Sequence, residues 1–194
     1  MKLAHFHVEI PYPPKEPPSW AGKVERWYQL DTFAFCLPEA FVRLALSSRP
    51  ASMLLACGGA SNLTDRAFVQ GGAVSPTKFV HTLPNIRSSS LLSVMEWQGP
   101  LLSVHRDPFT LAFALREACS RAQKSAESWV WCVDAQGSVD LFAFGVKSGH
   151  THQVSPRSPD SSAFRDRADV EILRWFWDSK GDLDMSQQWM VRKG

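Results

Sequence analysis

The sequence predicts a single layered α/β domain: a mostly parallel, five-stranded mixed sheet with helices on both faces. Three observations carry this expectation. Short apolar runs of strand length alternate with stretches of helical spacing, the pattern made by crossover connections between parallel strands. Phe109–Ser125 (FTLAFALREACSRAQKS) is the clearest helix, and its first half is apolar all round, which places it inside a domain. Two β-rich runs separated by Gln136-Gly137 then read as a hairpin that closes the sheet with an antiparallel edge.

The chain opens on a strand, Leu3–Ile10, in which His5, His7 and Glu9 share one face. Pro11–Ser19 (PYPPKEPPS) is too rich in proline for helix or central strand and reads as an extended connector. Leu37–Ser47 has helical spacing, with Phe41, Leu44 and Ala45 on one stripe and Pro38 tolerated near the start. Met53–Cys57 (MLLAC) is a buried strand that meets a tight turn at Gly58-Gly59. Ser61–Gln70 follows as a helix capped by Ser61 or Asn62 and ended by Gly71-Gly72.

Ser75–Asn85 is a short helical stretch between proline turns. Ser88–Trp97 is a helix stopped by Gly99-Pro100, and Leu101–Val104 is a short strand. After the buried helix come strands Trp129–Asp134 and Val139–Val146. His150–Ser162, dominated by Ser, Pro, His and Asp, reads as a loop, Arg167–Asp178 as a final helix, and the remainder as a polar, mobile tail. The expected organisation is an α/β domain over 1–150 and a C-terminal loop, helix and tail over 151–194.

Composition narrows the function classes. With 21 basic and 19 acidic residues the net charge is +2, so electrostatics gives no reason to expect nucleic acid or an anionic membrane as partner. Apolar residues at 44% and charged residues at 21% exclude a disordered chain. No apolar run approaches the ~20 residues of a membrane span. The opening MKLAHFHVEIPYPP lacks the apolar block of a secretory signal, so the expected location is the cytoplasm. Cys36, Cys57, Cys119 and Cys132 form no C-x-x-C pair, and buried, reduced thiols are expected, with no metal site and no cofactor.

Most catalytic signatures are missing. There is no G-x-S-x-G elbow, no P-loop and no G-x-G-x-x-G. His7-Val8-Glu9 matches the H-x-E fragment of zinc deaminases without its P-C-x-x-C partner. His150 and His152 read as solvated, and Asp178, Asp182 and Asp184 lack a calcium-loop glycine. Trp175, Phe176 and Trp177 read as core or interface anchors.

One series of motifs is not absorbed in this way. Ser75-Pro76-x-x-Phe79-x-x-x-Leu83-Pro84-Asn85 is followed by a Ser-rich helix, by Gly99-Pro100-Leu101-Leu102-Ser103-Val104 and by the buried helix. Together, from Met53 to Val146, these resemble the β-ketoacyl synthase branch of the thiolase-like proteins, where S-P-x-x-F-x-x-S-L-P-N precedes a helix and a G-P-x-x-x-V strand. The resemblance implies a thiolase-like half: one α/β unit of the two whose tandem repeat makes a ketosynthase.

In that family the strand after Gly-Pro runs into V-D-T-A-C-S-S-S-L, with its Cys at a helix start that lowers the thiol pKa. The matching stretch here is Val104-His105-Arg106-Asp107-Pro108-Phe109-Thr110, and Pro108 occupies the Cys position. Proline is comfortable at a helix start but offers no nucleophile. No Cys between Cys57 and Cys119 can replace it, and His81 and His105 cannot take over the paired histidines of the family's second half.

The implied protein is noncatalytic. It resembles a short chain-length-factor subunit that accompanies an active β-ketoacyl synthase in type II systems making aryl polyene or related pigments, which are fatty-acid- and polyketide-like pathways. The resemblance implies a heterodimer in which Leu101, Leu102, Ser103 and Val104 pair edge to edge with the ketosynthase's equivalent strand. It further implies a substrate carried as a phosphopantetheine thioester on an acyl carrier protein, which meets the complex. Thr64, Phe68 and Phe79 are candidates for setting tunnel depth, with ordinary core packing as the alternative for each. A different class of function is a stand-alone acyl-thioester hydrolase or decarboxylase, in which His105 and Asp107 form a base–orienter pair near Thr110. A homodimeric scaffold is the third reading.

Overall fold

Five strands build the centre of the molecule: β1 (Lys2–Glu9), β2 (Ser52–Ala56), β3 (Leu101–Val104), β4 (Ser128–Val133) and β5 (Ser138–Phe144). The structure, a computed structural model, describes residues 2–46, 48–57, 60–71, 76, 80, 83, 86–105, 109–124, 127–134, 136–145, 152–156, 183–184 and 189–193. β2 is buried along its whole length and β4 at all positions but Cys132, because both lie inside the sheet with helices on either face. β2 pairs in parallel with β3 on one side and β4 on the other. β4 turns into the antiparallel β5, and β1 adds antiparallel to β5, giving the order β3-β2-β4-β5-β1.

The expected five-stranded mixed sheet with helices on both faces is therefore present, but it is not mostly parallel: only the β3-β2-β4 triplet is, because β5 follows β4 through a tight hairpin and β1 adds antiparallel to β5. The hairpin lies in the middle of the sheet and not at an edge. β1 covers the outer side of β5 with pairs from Leu3↔Phe144 to Glu9↔Ser138, which removes an otherwise open edge. The hairpin turn requires glycine: Gly137 has φ +95°, and a Cβ there would lie 2.5 Å from the Ile10 carbonyl oxygen.

Three more strands, β6 (His152–Pro156), β7 (Leu183–Asp184) and β8 (Trp189–Lys193), extend the sheet beyond β1 in the order β6-β8-β7. The stretch expected to be a loop thus contains β6, and the expected polar tail contains β8. Neither has the apolar alternation of a half-buried strand. Main-chain pairing of β6 with β1 and β8 holds them instead, and local composition does not report it. The helix expected over Arg167–Asp178 lies outside the described residues, and of Ser75–Asn85 only 76, 80 and 83 are described.

Helix α1 (Thr32–Arg43) begins ahead of its expected start at Leu37. Asp31 sets the beginning, its Oδ1 accepting from the Ala34 N–H at 2.8 Å. Pro38 consequently falls inside the helix, where it removes the N–H that would have bonded the Ala34 carbonyl. Ser90 on α3 (Ser89–Met95) supplies the missing donor: its hydroxyl donates to the Ala34 oxygen at 2.5 Å and ties the two helices together. Helices α2 (Ala60–Val69) and α4 (Thr110–Lys124) lie where the spacing predicts them.

The sheet separates two apolar layers. On one face Met53, Leu55, Trp129, Trp131 and Leu141 pack with Phe33 and Leu37 of α1 and Leu91 and Met95 of α3. On the other, Leu54, Val130, Phe142 and Phe144 pack with Leu111, Leu115 and Cys119 of α4. Ala114, Ala118 and Ala122 form a buried stripe at helical spacing, which lets the α4 backbone approach the sheet closely.

Candidate functional site

β3 is the outermost strand on its side of the sheet. Its ladder with β2 uses alternate residues: Met53 N–H donates to the Pro100 carbonyl at 3.0 Å and Cys57 N–H to the Val104 carbonyl at 2.8 Å. In a parallel pair this geometry turns the main-chain groups of Leu101 and Ser103 away from β2, toward the outer side. The side chains of Leu102 and Val104 pack in the α4 layer and that of Leu101 in the α1–α3 layer. The four residues singled out as an interface strand therefore form a sheet edge, with Leu102 and Val104 on one face and Leu101 and Ser103 on the other.

Beyond the ladder, a side-chain hydrogen bond also joins the carboxyl ends of β2 and β3. His105 Nδ1 lies 2.7 Å from the Cys57 carbonyl oxygen. A carbonyl only accepts, so Nδ1 carries a proton and donates it in this bond. The His105 side chain is exposed, and Thr110 is buried at the start of α4. Asp107 and Pro108 lie outside the described residues. The group that orients His105 in the structure is thus the Cys57 carbonyl, a partner that no spacing in the sequence announces.

Burial governs the thiols of the described residues. Burial pushes the thiols of Cys36 and Cys119 up to about 12. It also raises Cys57, at the carboxyl end of β2, against the lowering influence of nearby Arg87. A thiol held protonated in this way is a poor nucleophile. Cys132 is half-buried, and all four cysteines are unbridged thiols.

On the α4 face a cross-strand row runs Val104, Ala56, Cys132, Asp140, His7 from β3 to β1. Asp140 is buried, and its Oδ1 accepts from His5 Nε2 at 2.7 Å and from His7 Nδ1 at 3.1 Å. His5 stacks on Phe142 with ring centroids 4.7 Å apart. The sequence shows that His5 and His7 share a face, but it does not show the carboxylate between them. The available signal was one acid in the otherwise apolar strand β5. Among the described residues, no group of three His, Cys, Asp or Glu side chains is arranged to hold a metal ion.

The tunnel candidates are placed unevenly. Thr64 lies in α2. Phe68, on the same helix, is 43% exposed beside Val69 at 82%, so this part of α2 presents an apolar surface outward. Phe79 lies outside the described residues. A separate cleft of about 560 Å³ between the proline-rich connector and α1 is lined by Pro14, Pro17, Phe35, Glu39 and Arg43 among others. Glu39 there accepts from Trp20 Nε1 at 2.9 Å and from Arg43 Nε at 2.8 Å, which engages its carboxylate within the protein. Among the described residues no helix is long and apolar enough to cross a membrane.

No family model and no curated protein matches the sequence. In three dimensions the chain is similar to a chain of a solved structure described as a ketosynthase (ApeO) in complex with its chain length factor (ApeC) from Xenorhabdus doucetiae. The TM-score is 0.59 at 12% identity, over 93% of this chain and 84% of that one. At that identity the likeness is one of fold: this chain shares the α/β fold of that neighbour.

Proposed function

We propose that the chain is a noncatalytic, chain-length-factor-like partner of an active β-ketoacyl synthase. The two form a heterodimer through β3 that shapes the tunnel for a growing acyl or polyene chain in an aryl-polyene-like type II pathway of the cytoplasm. The chain arrives as a phosphopantetheine thioester on an acyl carrier protein, and this subunit needs no cofactor of its own. Thr64 and Phe68 of α2, together with Phe79, set tunnel depth. The observation that carries the reading is the sheet edge at β3, in a fold shared with a chain of a ketosynthase–chain-length-factor complex. Pro108 in place of the family's nucleophile supports the noncatalytic role.

The test is co-expression with a ketosynthase encoded beside it, affinity pull-down and mass determination of the eluted species. A stable 1:1 complex is expected, and a soluble chain that ignores the ketosynthase overturns the reading. Ser103→Pro probes the edge itself. It removes an outward main-chain N–H and sets a ring against the partner strand, while the β2 ladder, made by the residues on either side, stays intact. The complex should be lost while the free chain stays folded, its thermal midpoint slightly lowered by loss of the Ser103 hydroxyl's bond to the Cys57 thiol.

The exposed His105 favours a second reading, a stand-alone acyl-thioester hydrolase or decarboxylase. Turnover of acyl thioesters by the purified chain, abolished in His105→Ala, would establish it.

A further inference from the structure

The connector that follows β1 is stiff and anchored at both ends. Proline fixes φ, and Pro11, Pro13, Pro14, Pro17 and Pro18 fall within the segment Pro11–Ser19. Near its start Tyr12 donates its hydroxyl to the Leu30 carbonyl at 2.8 Å, and just past its end Trp20 donates its indole N–H to Glu39 at 2.9 Å. Between these anchors the connector and α1 enclose the cleft of about 560 Å³. Small-molecule sites span roughly 300–1,000 Å³. Phe35 of α1 closes the floor, held between Tyr12 and Trp20 with ring centroids 5.8 and 5.4 Å away, and Pro14 and Pro17 line the connector side. A cleft built in this way before a ligand arrives has little conformational freedom to lose on binding.

The polar groups of the cleft are unevenly committed. Both Glu39 oxygens already accept, Oε2 from Trp20 and Oε1 from Arg43 Nε at 2.8 Å. Arg43 also donates from one terminal nitrogen to the Glu9 carbonyl at 3.4 Å, and among the described residues its remaining N–H groups are uncommitted. The Glu39 bond orients the guanidinium while its side chain stays half-exposed at the cleft. Lys15 and Glu16 stand beside each other on the exposed rim and offset one another. The surplus is therefore in donors, and it sits on Arg43, whose planar fork suits a carboxylate. An amine would find only the rim carboxylate of Glu16.

We propose that this cleft binds a small carboxylate with a flat apolar body, the carboxylate on Arg43 and the body between Phe35 and the connector prolines. β1 and β3 lie at opposite sides of the five central strands, so the inference stands whether or not β3 pairs with a ketosynthase.

The test is a saturation-transfer NMR titration of the full chain with 3-phenylpropionate and with its neutral counterpart, 3-phenylpropionamide. The acid should bind saturably and about tenfold more tightly than the amide, the lower end of what a charge-assisted hydrogen bond contributes, because Arg43 is half-exposed. Arg43→Gln should weaken the acid by that factor and leave the amide unchanged, a split that a merely structural role for Arg43 would not produce. Ser19, exposed on the lining, offers a second handle: Ser19→Trp fills the mouth and should abolish binding of both compounds with the thermal midpoint unchanged. Equal affinity for acid and amide in the wild type, or equal weakening of both by Arg43→Gln, overturns the assignment of a carboxylate to Arg43. Undiminished binding in Ser19→Trp, or no saturable binding in the wild type, overturns the site. Should Arg43→Gln fail to fold, the acid–amide comparison and Ser19→Trp decide between these outcomes without it.

Discussion

Ser90→Ala should cost far more than the loss of one hydroxyl on a helix. Ala34 and Ser90 are both buried, at 0% and 2% exposure, so water cannot replace the bond between them. Pro38 has already deleted the i+4 amide that would serve the Ala34 carbonyl. Removing the Ser90 hydroxyl therefore strands a buried carbonyl, at about 1–3 kcal/mol. For a chain of this size that lowers the thermal midpoint by roughly 2–4 °C per kcal/mol. The decisive experiment is a double-mutant cycle with Pro38→Ala, read by urea unfolding and the fluorescence of the eight tryptophans. Pro38→Ala returns the missing N–H, so Ser90→Ala should cost only about 0.5 kcal/mol in that background, and the coupling should reach about 1–2 kcal/mol. Additivity within about 0.3 kcal/mol would refute the argument that Ser90 substitutes for the absent backbone donor.

Asp140→Ala removes the one carboxylate oxygen shared by His5 and His7, and should destabilise the chain by about 1–3 kcal/mol in urea unfolding. His7→Ala should cost less, because His7 is a third exposed whereas His5 is nearly enclosed. The thiols predict a pH dependence. Burial raises Cys36 and Cys119 to about 12 in the folded chain, against about 8.5 when unfolded. The unfolded state therefore loses thiol protons first, and this contribution to stability, complete below pH ~8.5, declines as the pH rises toward 12. A thiol reagent at pH 8 should label Cys132 first and reach Cys36, Cys57 and Cys119 only with denaturant; rapid labelling of all four would contradict their burial.

What could be read from the sequence follows the range of the interactions involved. β2, β3, α4 and the turn at Gly137 are specified by neighbours within a few residues, and each lies where the pattern puts it. α1 starts early for a reason that is only half local. Asp31 is an ordinary cap, but Pro38 is tolerated inside the helix because of Ser90, whose hydroxyl comes from 56 residues along the chain. Asp140 meets His7 across 133 residues, and β6 and β8 are strands through pairing and not through composition. The site divides in the same way. Strand β3 and its Gly-Pro entry were legible as a motif, while the bond that orients His105 was not, since the Cys57 carbonyl is a main-chain group without a residue signature.

The length of β3 constrains how the proposed complex is held together. Four residues leave only Leu101 and Ser103 to pair outward, and each hydrogen bond contributes about 0.5–1.5 kcal/mol net. Association alone costs an estimated ~4–15 kcal/mol, so strand pairing cannot supply the affinity. Its physical role is register: a paired edge fixes which apolar side chains of the two subunits face each other, and burial of those side chains supplies the energy. This is why Ser103→Pro should abolish the complex although it removes a single donor. A displaced register misaligns every flanking contact at once. Leu102→Arg acts differently, because Leu102 packs toward α4, and should lower the stability of the free chain along with the complex. If Ser103→Pro weakened the complex only by the few-fold expected of one hydrogen bond, the apolar surfaces would be aligning themselves without the strand, and β3 would be a bystander in assembly.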